Sequence, residues 1–475
     1  MVFSSLEFIC VFLVAVFLLY SVLPSLKLRN ALLIIASLGF YAYGEPVYVL
    51  LMIFSSLVNY LCALWVARYA GQNNRFAVIV AIVINLGILV LFKYSGMLVS
   101  TANNVFGLGL PVPDIALPIG ISFFTFQALS YVIDVYRGVV DVQRNYFYVL
   151  LYISFFPQLI AGPIVKYRDI QEMITERHQT IENIANGFRR FVCGLAKKVI
   201  IANTMGQVAD IMFSTPANEL SFLAAWIGAI AYLFQIYYDF SGYSDMALGL
   251  GLMFGFKFKE NFNYPYSAKN VQDFWRRWHI SLSTWFKEYL YIPLGGNRKG
   301  KARTAANRLI VFALCGLWHG ASWTFLIWGL WHGFFLLIEE YAPWIKKLPA
   351  ALGRIYTLLV VCIGFVLFRA DTLGYALQFL GRMFFGFDFS DPAMSLVVSQ
   401  LTPWFIFVLV LAVIGCGPIQ PIAAKIRHEL YEVSEIGPRW KLVTYLLYAA
   451  ALLGLIWCIL ILSSSGYNPF IYFRF

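Results

Sequence analysis

FICVFLVAVFLLYSVL, from Phe8 to Leu23, contains no charged residue, and its only polar groups are those of Tyr20 and Ser21. A helix needs about 20 apolar residues to cross the hydrocarbon core of a bilayer, so this run with its flanks reads as a membrane span. No basic residue precedes it and no small-residue cleavage site follows it, so a retained first span is predicted rather than a signal peptide. Comparable runs centre near residues 37, 57, 86, 125, 153, 200, 233, 248, 320, 360, 409 and 452. Together they predict an all-α integral membrane protein with about 11–13 transmembrane or re-entrant helices.

Composition carries the same message. Of 475 residues, 61% are hydrophobic and 12% charged, and mean hydropathy is +0.74. A soluble domain typically carries about 25% charged residues, so this chain could not cover a water-facing surface. Short basic loops follow the first span (Lys27, Arg29), the third (Arg68, Arg75) and the fifth (Arg137, Arg144). Positive residues mark cytoplasmic loops, so the N-terminus is predicted to lie outside. The formal net charge of +11 does not imply nucleic-acid binding, because the cations sit in short clusters between apolar runs. Lys197-Lys198 and Lys299-Gly300-Lys301 read as such loops. Cys10, Cys62, Cys193, Cys315, Cys362, Cys416 and Cys458 lie mostly inside apolar runs without a CxxC pair. They indicate small buried hydrophobes, not a disulfide framework or zinc site. No long polar linker divides the chain, so residues 1–475 are expected to form a single membrane domain. A polar core is expected over about 239–333.

Ionisable side chains in membrane segments are costly and mark functional paths by default. Three clusters qualify. LWHGASWTFLIWGLWHG, from Leu317 to Gly333, embeds His319 and His332 among four tryptophans. On one ideal helix, 13 residues would set the two histidines about 220° apart, on different faces. A neutral imidazole beside a hydroxyl suits a general base; a core histidine bonded to a neighbouring helix fits equally well. WRRWHISLSTWFKEYLYIPLGG, from Trp275 to Gly296, places Arg276 and Arg277 before His279, with Trp275 and Trp278 alongside. Guanidinium groups beside indoles suit a phosphate-bearing ligand such as coenzyme A, and they also suit an interfacial helix with snorkelling arginines. This stretch is too polar for a simple span, and Pro265, Pro293 and Gly295-Gly296 break it, so re-entrant or amphipathic pieces are predicted. YYDFSGYSDMALGLGLMFGF, from Tyr237 to Phe256, carries Asp239 and Asp245 in apolar surroundings. Such carboxylates pair with cations, Arg276 and Arg277 among the candidates, or orient a histidine. Gly242, Gly249, Gly251 and Gly255 would let helices approach closely.

No GxSxG elbow, Walker loop, dinucleotide fingerprint or HExxH is present, and His279 with His319 lacks further ligands for a metal. An acyltransferase, a multi-pass transporter or flippase of a polysaccharide precursor, and a membrane scaffold all accommodate many spans. The absence of an inverted repeat and the concentration of polar chemistry around two histidines favour the enzyme.

These clusters closely resemble the membrane-bound O-acyltransferase family, in the branch of the alginate O-acetyltransferase membrane subunit. The resemblance runs nearly end to end: MVFSS at the start, LPIGISFFTFQALSYVIDVYRG from Leu117, LIAGPIVKYRD from Leu159, the three clusters above, FRA at Phe368 and FIYFRF at the C-terminus. It implies a helical body around a central tunnel in a bacterial inner membrane, with His319 as the essential histidine. His279 matches the second characteristic position, an Asn in many eukaryotic relatives. It further implies an acetyl group taken from cytoplasmic acetyl-CoA, with no tightly bound cofactor, for O-acetylation of an extracytoplasmic polysaccharide such as alginate. A separate SGNH-type acetyltransferase is the implied partner. On this reading Arg276, Arg277, Trp275, Trp278, Asp245 and Tyr472 are candidates for substrate contact. Tyr472 is either an acyl relay on a folded-back C-terminus or an interfacial aromatic anchor.

Overall fold

The computed structural model describes residues 1–69, 75–431 and 437–471, and every regular element among them is helical. A helix satisfies its backbone hydrogen bonds within itself, which is what a lipid environment demands. Five helices are long and apolar enough to cross a membrane: Tyr48–Arg68, Arg75–Phe106, Phe222–Met253, Ala350–Arg369 and Arg439–Ser464. A sixth arises if Asp391–Gln400 and Pro403–Gly415, bent by 65°, form one span. The protein is therefore a multi-pass membrane protein.

The remaining apolar runs take shorter or broken forms. The run near residue 153 is interrupted at Phe155, between Tyr146–Ser154 and Phe156–Leu159. The runs near 233 and 248 share one 32-residue helix, Phe222–Met253. The run near 320 is divided by a break after His319. Lys197-Lys198 is not a loop: it begins a wide π-type turn, Lys197–Ala202, between the helices Ile181–Ala196 and Asn203–Ser214, and Lys198 is buried. Lys299-Gly300-Lys301 does lie in an exposed stretch.

Contacts divide the chain into two compact units, Met1–Phe191 with Ser244–Lys259, and Val192–Tyr243 with Glu260–Phe475. In the first, a cluster of Phe3, Phe8, Phe40 and Phe156 packs ring on ring. Two buried amides, Asn59 and Asn85, exchange hydrogen bonds of 3.1 and 2.9 Å between their helices, and each also donates to a carbonyl four residues earlier. That arrangement leaves neither amide unsatisfied in an apolar setting. Gly249 makes the close helix approach its sequence suggested: a Cβ there would stand 2.5 Å from the Gly187 carbonyl oxygen.

The second unit holds the helical hairpin Gly300–His319 and Trp323–Tyr341, against which Ala350–Arg369 packs. Gly316 and Gly329 face each other across the hairpin, and a Cβ on either would overlap a carbonyl of the opposite helix. Small residues at such crossings let backbones approach closely. The stretch after Phe258 forms the predicted short pieces: a single turn at Pro265–Ser267, then Val271–Arg277 and Ile280–Phe286.

Candidate active site

The sequence treats Leu317–Gly333 as one helix. The chain instead ends a helix at His319, runs extended through Gly320 and Ser322, and starts a new helix at Trp323. A side chain at Gly320 would collide with the Phe325 ring, so the break is built on glycine. The two histidines thus sit on opposite arms of a hairpin rather than around one cylinder. Trp328 lies between them, its ring centroid 5.1 Å from His319 and 5.2 Å from His332.

His319 is 7% exposed. Its ring meets Trp318, Trp328 and Phe368 edge-on at centroid distances of 4.9, 5.1 and 5.4 Å. His279 is fully buried, with its ring centroid 6.4 Å from that of His319 and 4.6 Å from that of Phe240. It caps the start of Ile280–Phe286 in a left-handed conformation, φ 43° and ψ 55°. For a non-glycine residue that backbone is strained, and such strain is tolerated where surrounding contacts over-determine it. Asn261 supplies those contacts. Its backbone carbonyl accepts from the Ile280 N–H at 2.9 Å, and its Oδ1 accepts from the Ser281 N–H and hydroxyl at 3.2 and 2.8 Å. The same Oδ1 accepts the His279 Nδ1 proton at 3.2 Å.

An imidazole buried this deeply is most stable in its neutral form, donating at one nitrogen and accepting at the other. With Nδ1–H held by Asn261, His279 presents its Nε2 lone pair, which has no hydrogen-bond partner. His279 is therefore shaped as an acceptor. The indole N–H groups of Trp275 and Trp328 are buried without a hydrogen-bond partner; Trp328, whose ring lies against His319, is the candidate donor for a developing oxyanion. A cavity with room for about 10 Å³ of water, roughly one molecule, is lined by His319, Trp278, Trp328, Phe240, Phe368 and Ile471 among others.

The other sequence candidates divide. Trp275 and Trp278 are buried; Trp275 lies 5.1 Å from His332 and 5.9 Å from Trp328, ring to ring. Arg276 is exposed, and Arg277 bonds Asp273 at 3.0 Å, one helical turn back. Neither arginine pairs with Asp239 or Asp245: Asp245 pairs with Arg190 at 2.8 Å in the first unit, and Asp239 with Lys198 at 2.8 Å in the second. Tyr472 lies outside the described residues. Sequence reasoning missed Asn261, the residue that fixes the His279 tautomer, and Lys198, which it assigned to a loop.

The family model for MBOAT, the membrane-bound O-acyltransferase family, matches residues 139–369, which include both histidines. Over its full length the chain is 40% identical to the probable alginate O-acetylase AlgI of Pseudomonas putida, all of which is covered. It is 37% identical to the peptidoglycan O-acetyltransferase of Helicobacter pylori, over 81% of this chain and 80% of that protein. With the teichoic acid D-alanyltransferase of Bacillus subtilis it shares 30% identity over 53% of this chain and 68% of that protein. Full-length similarity to membrane acetyl-transfer enzymes is joined here to a buried, aromatic-walled pair of histidines. The chain belongs to the membrane-bound O-acyltransferase family, in the branch of the alginate O-acetylases, and is an O-acetyltransferase.

Proposed function

We propose that this protein takes an acetyl group from cytoplasmic acetyl-CoA and delivers it across a bacterial inner membrane, N-terminus outside, for O-acetylation of an extracytoplasmic polysaccharide such as alginate. An SGNH-type acetyltransferase partner places the group on the polymer. The observation that carries the reading is the juxtaposition of His279 and His319, 6.4 Å between ring centroids, beside an aromatic cavity in the family's matched region.

In the proposed chemistry His319 takes the proton of an attacking hydroxyl as its oxygen adds to the thioester carbonyl. The oxyanion is met by the Trp328 indole N–H. Collapse expels the coenzyme A thiolate, which recovers a proton, and leaves an acetyl ester. His279, with Nε2 accepting, holds the nucleophile's hydrogen or assists the same proton. Tyr472 is the candidate hydroxyl for an acyl relay, and a Tyr472→Phe enzyme that acetylates at the wild-type rate would end that idea. Arg276 and Arg277, if they serve coenzyme A phosphates, will raise the KM for acetyl-CoA when replaced by alanine while kcat changes little.

The decisive experiment measures coenzyme A release from labelled acetyl-CoA by the purified protein in nanodiscs. His319→Ala should lower turnover by about 10²–10⁴-fold, the usual contribution of a general base, while insertion and thermal stability stay near wild type. Turnover unchanged in a folded His319→Ala protein would remove His319 from the chemistry.

A further inference from the structure

The Lys198–Asp239 pair is buried inside the second unit, its side chains 3% and 2% exposed, and the proposed chemistry has no use for it. Breaking a buried pair by removing one partner typically costs about 3–5 kcal/mol, whereas a well-packed apolar substitute for both is often neutral or better. An ion pair kept in apolar surroundings invites a search for what else its charges hold.

They hold the end of the chain. The Lys198 ammonium stands 2.8 Å from Asp239 Oδ1 as an ion pair and donates to Asn203 Oδ1 at 2.9 Å and to the Pro469 carbonyl. Asp239 Oδ2 accepts the Ile471 backbone N–H at 2.8 Å. Asn203 donates to the Tyr467 carbonyl at 3.3 Å. The Tyr467 hydroxyl donates to Asp210 Oδ2 at 2.7 Å, and Arg369 donates to the other oxygen of that carboxylate at 2.8 Å. Helical geometry then joins this clasp to the cavity. Asp239 and Tyr243, one turn apart, meet the tail, the Tyr243 ring packing tilted against Phe470 with centroids 4.7 Å apart. Ile236 and Phe240, the adjacent pair one turn apart, line the cavity beside His319, and Ile471 is in the same wall.

We propose that Lys198 and Asp239 are positioning residues that seat the C-terminal segment 465–471 against the His319 cavity. They act on acetyl transfer through the tail, a role that rests on His319 marking the transfer site. The clasp reads backbone rather than side chains at its two ends, a carbonyl at 469 and an N–H at 471. It therefore fixes the path of the chain, which is what placing Ile471 to within an ångström requires.

The test uses full-length protein in nanodiscs, with acetyl-CoA as the probe and two readouts. Digestion with carboxypeptidase Y, which proceeds through proline, followed by mass spectrometry reports seating without reference to activity: wild type and Ile471→Ala, which keeps the N–H, should resist digestion before Ile471. Asp239→Asn and Ile471→Pro, the latter lacking the N–H, should be trimmed into segment 465–471 at least tenfold faster. Coenzyme A release reports coupling. Asp239→Asn and Ile471→Pro should each lower kcat at least tenfold with less than a threefold change in KM, and the double variant should be no worse than the poorer single one. Should Asp239→Asn fail to fold, Ile471→Pro leaves the ion pair intact and carries both readouts. Resistance to digestion in a folded Ile471→Pro protein would overturn the proposal, as would losses that multiply in the double variant. A released tail together with an active His319→Ala enzyme would overturn the assignment of the transfer site and, with it, the catalytic role of the clasp.

Discussion

At the scale of single residues, the backbone of His279 separates two contributions. The left-handed conformation costs an L-residue roughly 1–2 kcal/mol, and glycine or asparagine bears it more easily. His279→Gly and His279→Asn should therefore unfold later than His279→Ala by about 1 kcal/mol, although all three remove the imidazole and should lose activity together. Chemical denaturation in detergent checks the order, and equal stability of the Ala and Gly variants would mean the strain is not expressed. The histidines stood out in the sequence as titratable rings amid tryptophans, although a core role fitted that pattern as well as a catalytic one. Asn261 did not: an asparagine 18 residues upstream of His279 carries no mark of the ring it orients. Lys198 was misread for a related reason, since a Lys-Lys pair looks like a loop until Asp239, 41 residues on, supplies the partner that allows its burial.

Among the elements, the short helix Val271–Arg277 carries Trp275 and leads directly into Trp278 and His279, and it is too short to stand alone. Asn270 caps it in sequence, accepting the Asp273 N–H at 2.7 Å. Glu339 caps it from another helix, its two oxygens accepting the Val271 and Gln272 N–H groups at 2.5 and 3.0 Å. A carboxylate at a helix N-terminus satisfies orphan donors and meets the positive end of the dipole. Replacing Glu339 by alanine should cost about 1.5–3 kcal/mol, the range for hydrogen bonds to a charged group, and glutamine should lose less. Because Trp275, Trp278 and His279 ride on or just after this helix, kcat should fall in the same order, read by coenzyme A release. A Glu339→Ala enzyme with unchanged stability and turnover would show that Asn270 suffices. Element boundaries were the least legible level. Gly320 within an apolar run is compatible with a continuous helix; the extended backbone at Gly320 and Ser322, and the Phe325 ring that leaves no room for a Cβ at 320, carry no mark in the sequence.

For the whole molecule, the sequence announced a helical membrane protein through its scarcity of charge, and the fold agrees. Its apolar runs became long spans and shorter or broken helices alike, because apolarity marks burial in protein as readily as burial in lipid. Phe222–Met253 shows the ambiguity, with 72% of its most apolar window buried inside the protein. Orientation gives the prediction at this scale. Lys299, Lys301 and Arg303 form an exposed basic stretch, which the positive-inside rule places in the cytoplasm. A Lys301→Cys protein in sealed inside-out vesicles should react with an impermeant maleimide about tenfold faster than in intact spheroplasts. The reverse ratio would invert the topology.

The narrowness of the cavity beside His319 has a bearing on cell energetics. A membrane that stores a proton gradient cannot host an open bore, because every ion passing through it discharges the store without doing work. An ion entering apolar walls must shed its hydration shell, and hydrophobic constrictions of this kind block conduction by dewetting. With space for about one water between Trp278, Trp328, Phe240 and Phe368, this cavity cannot itself hold the continuous water column along which protons hop. On the proposed function, an uncharged acetyl group would react beside His319 with no such column standing in that cavity.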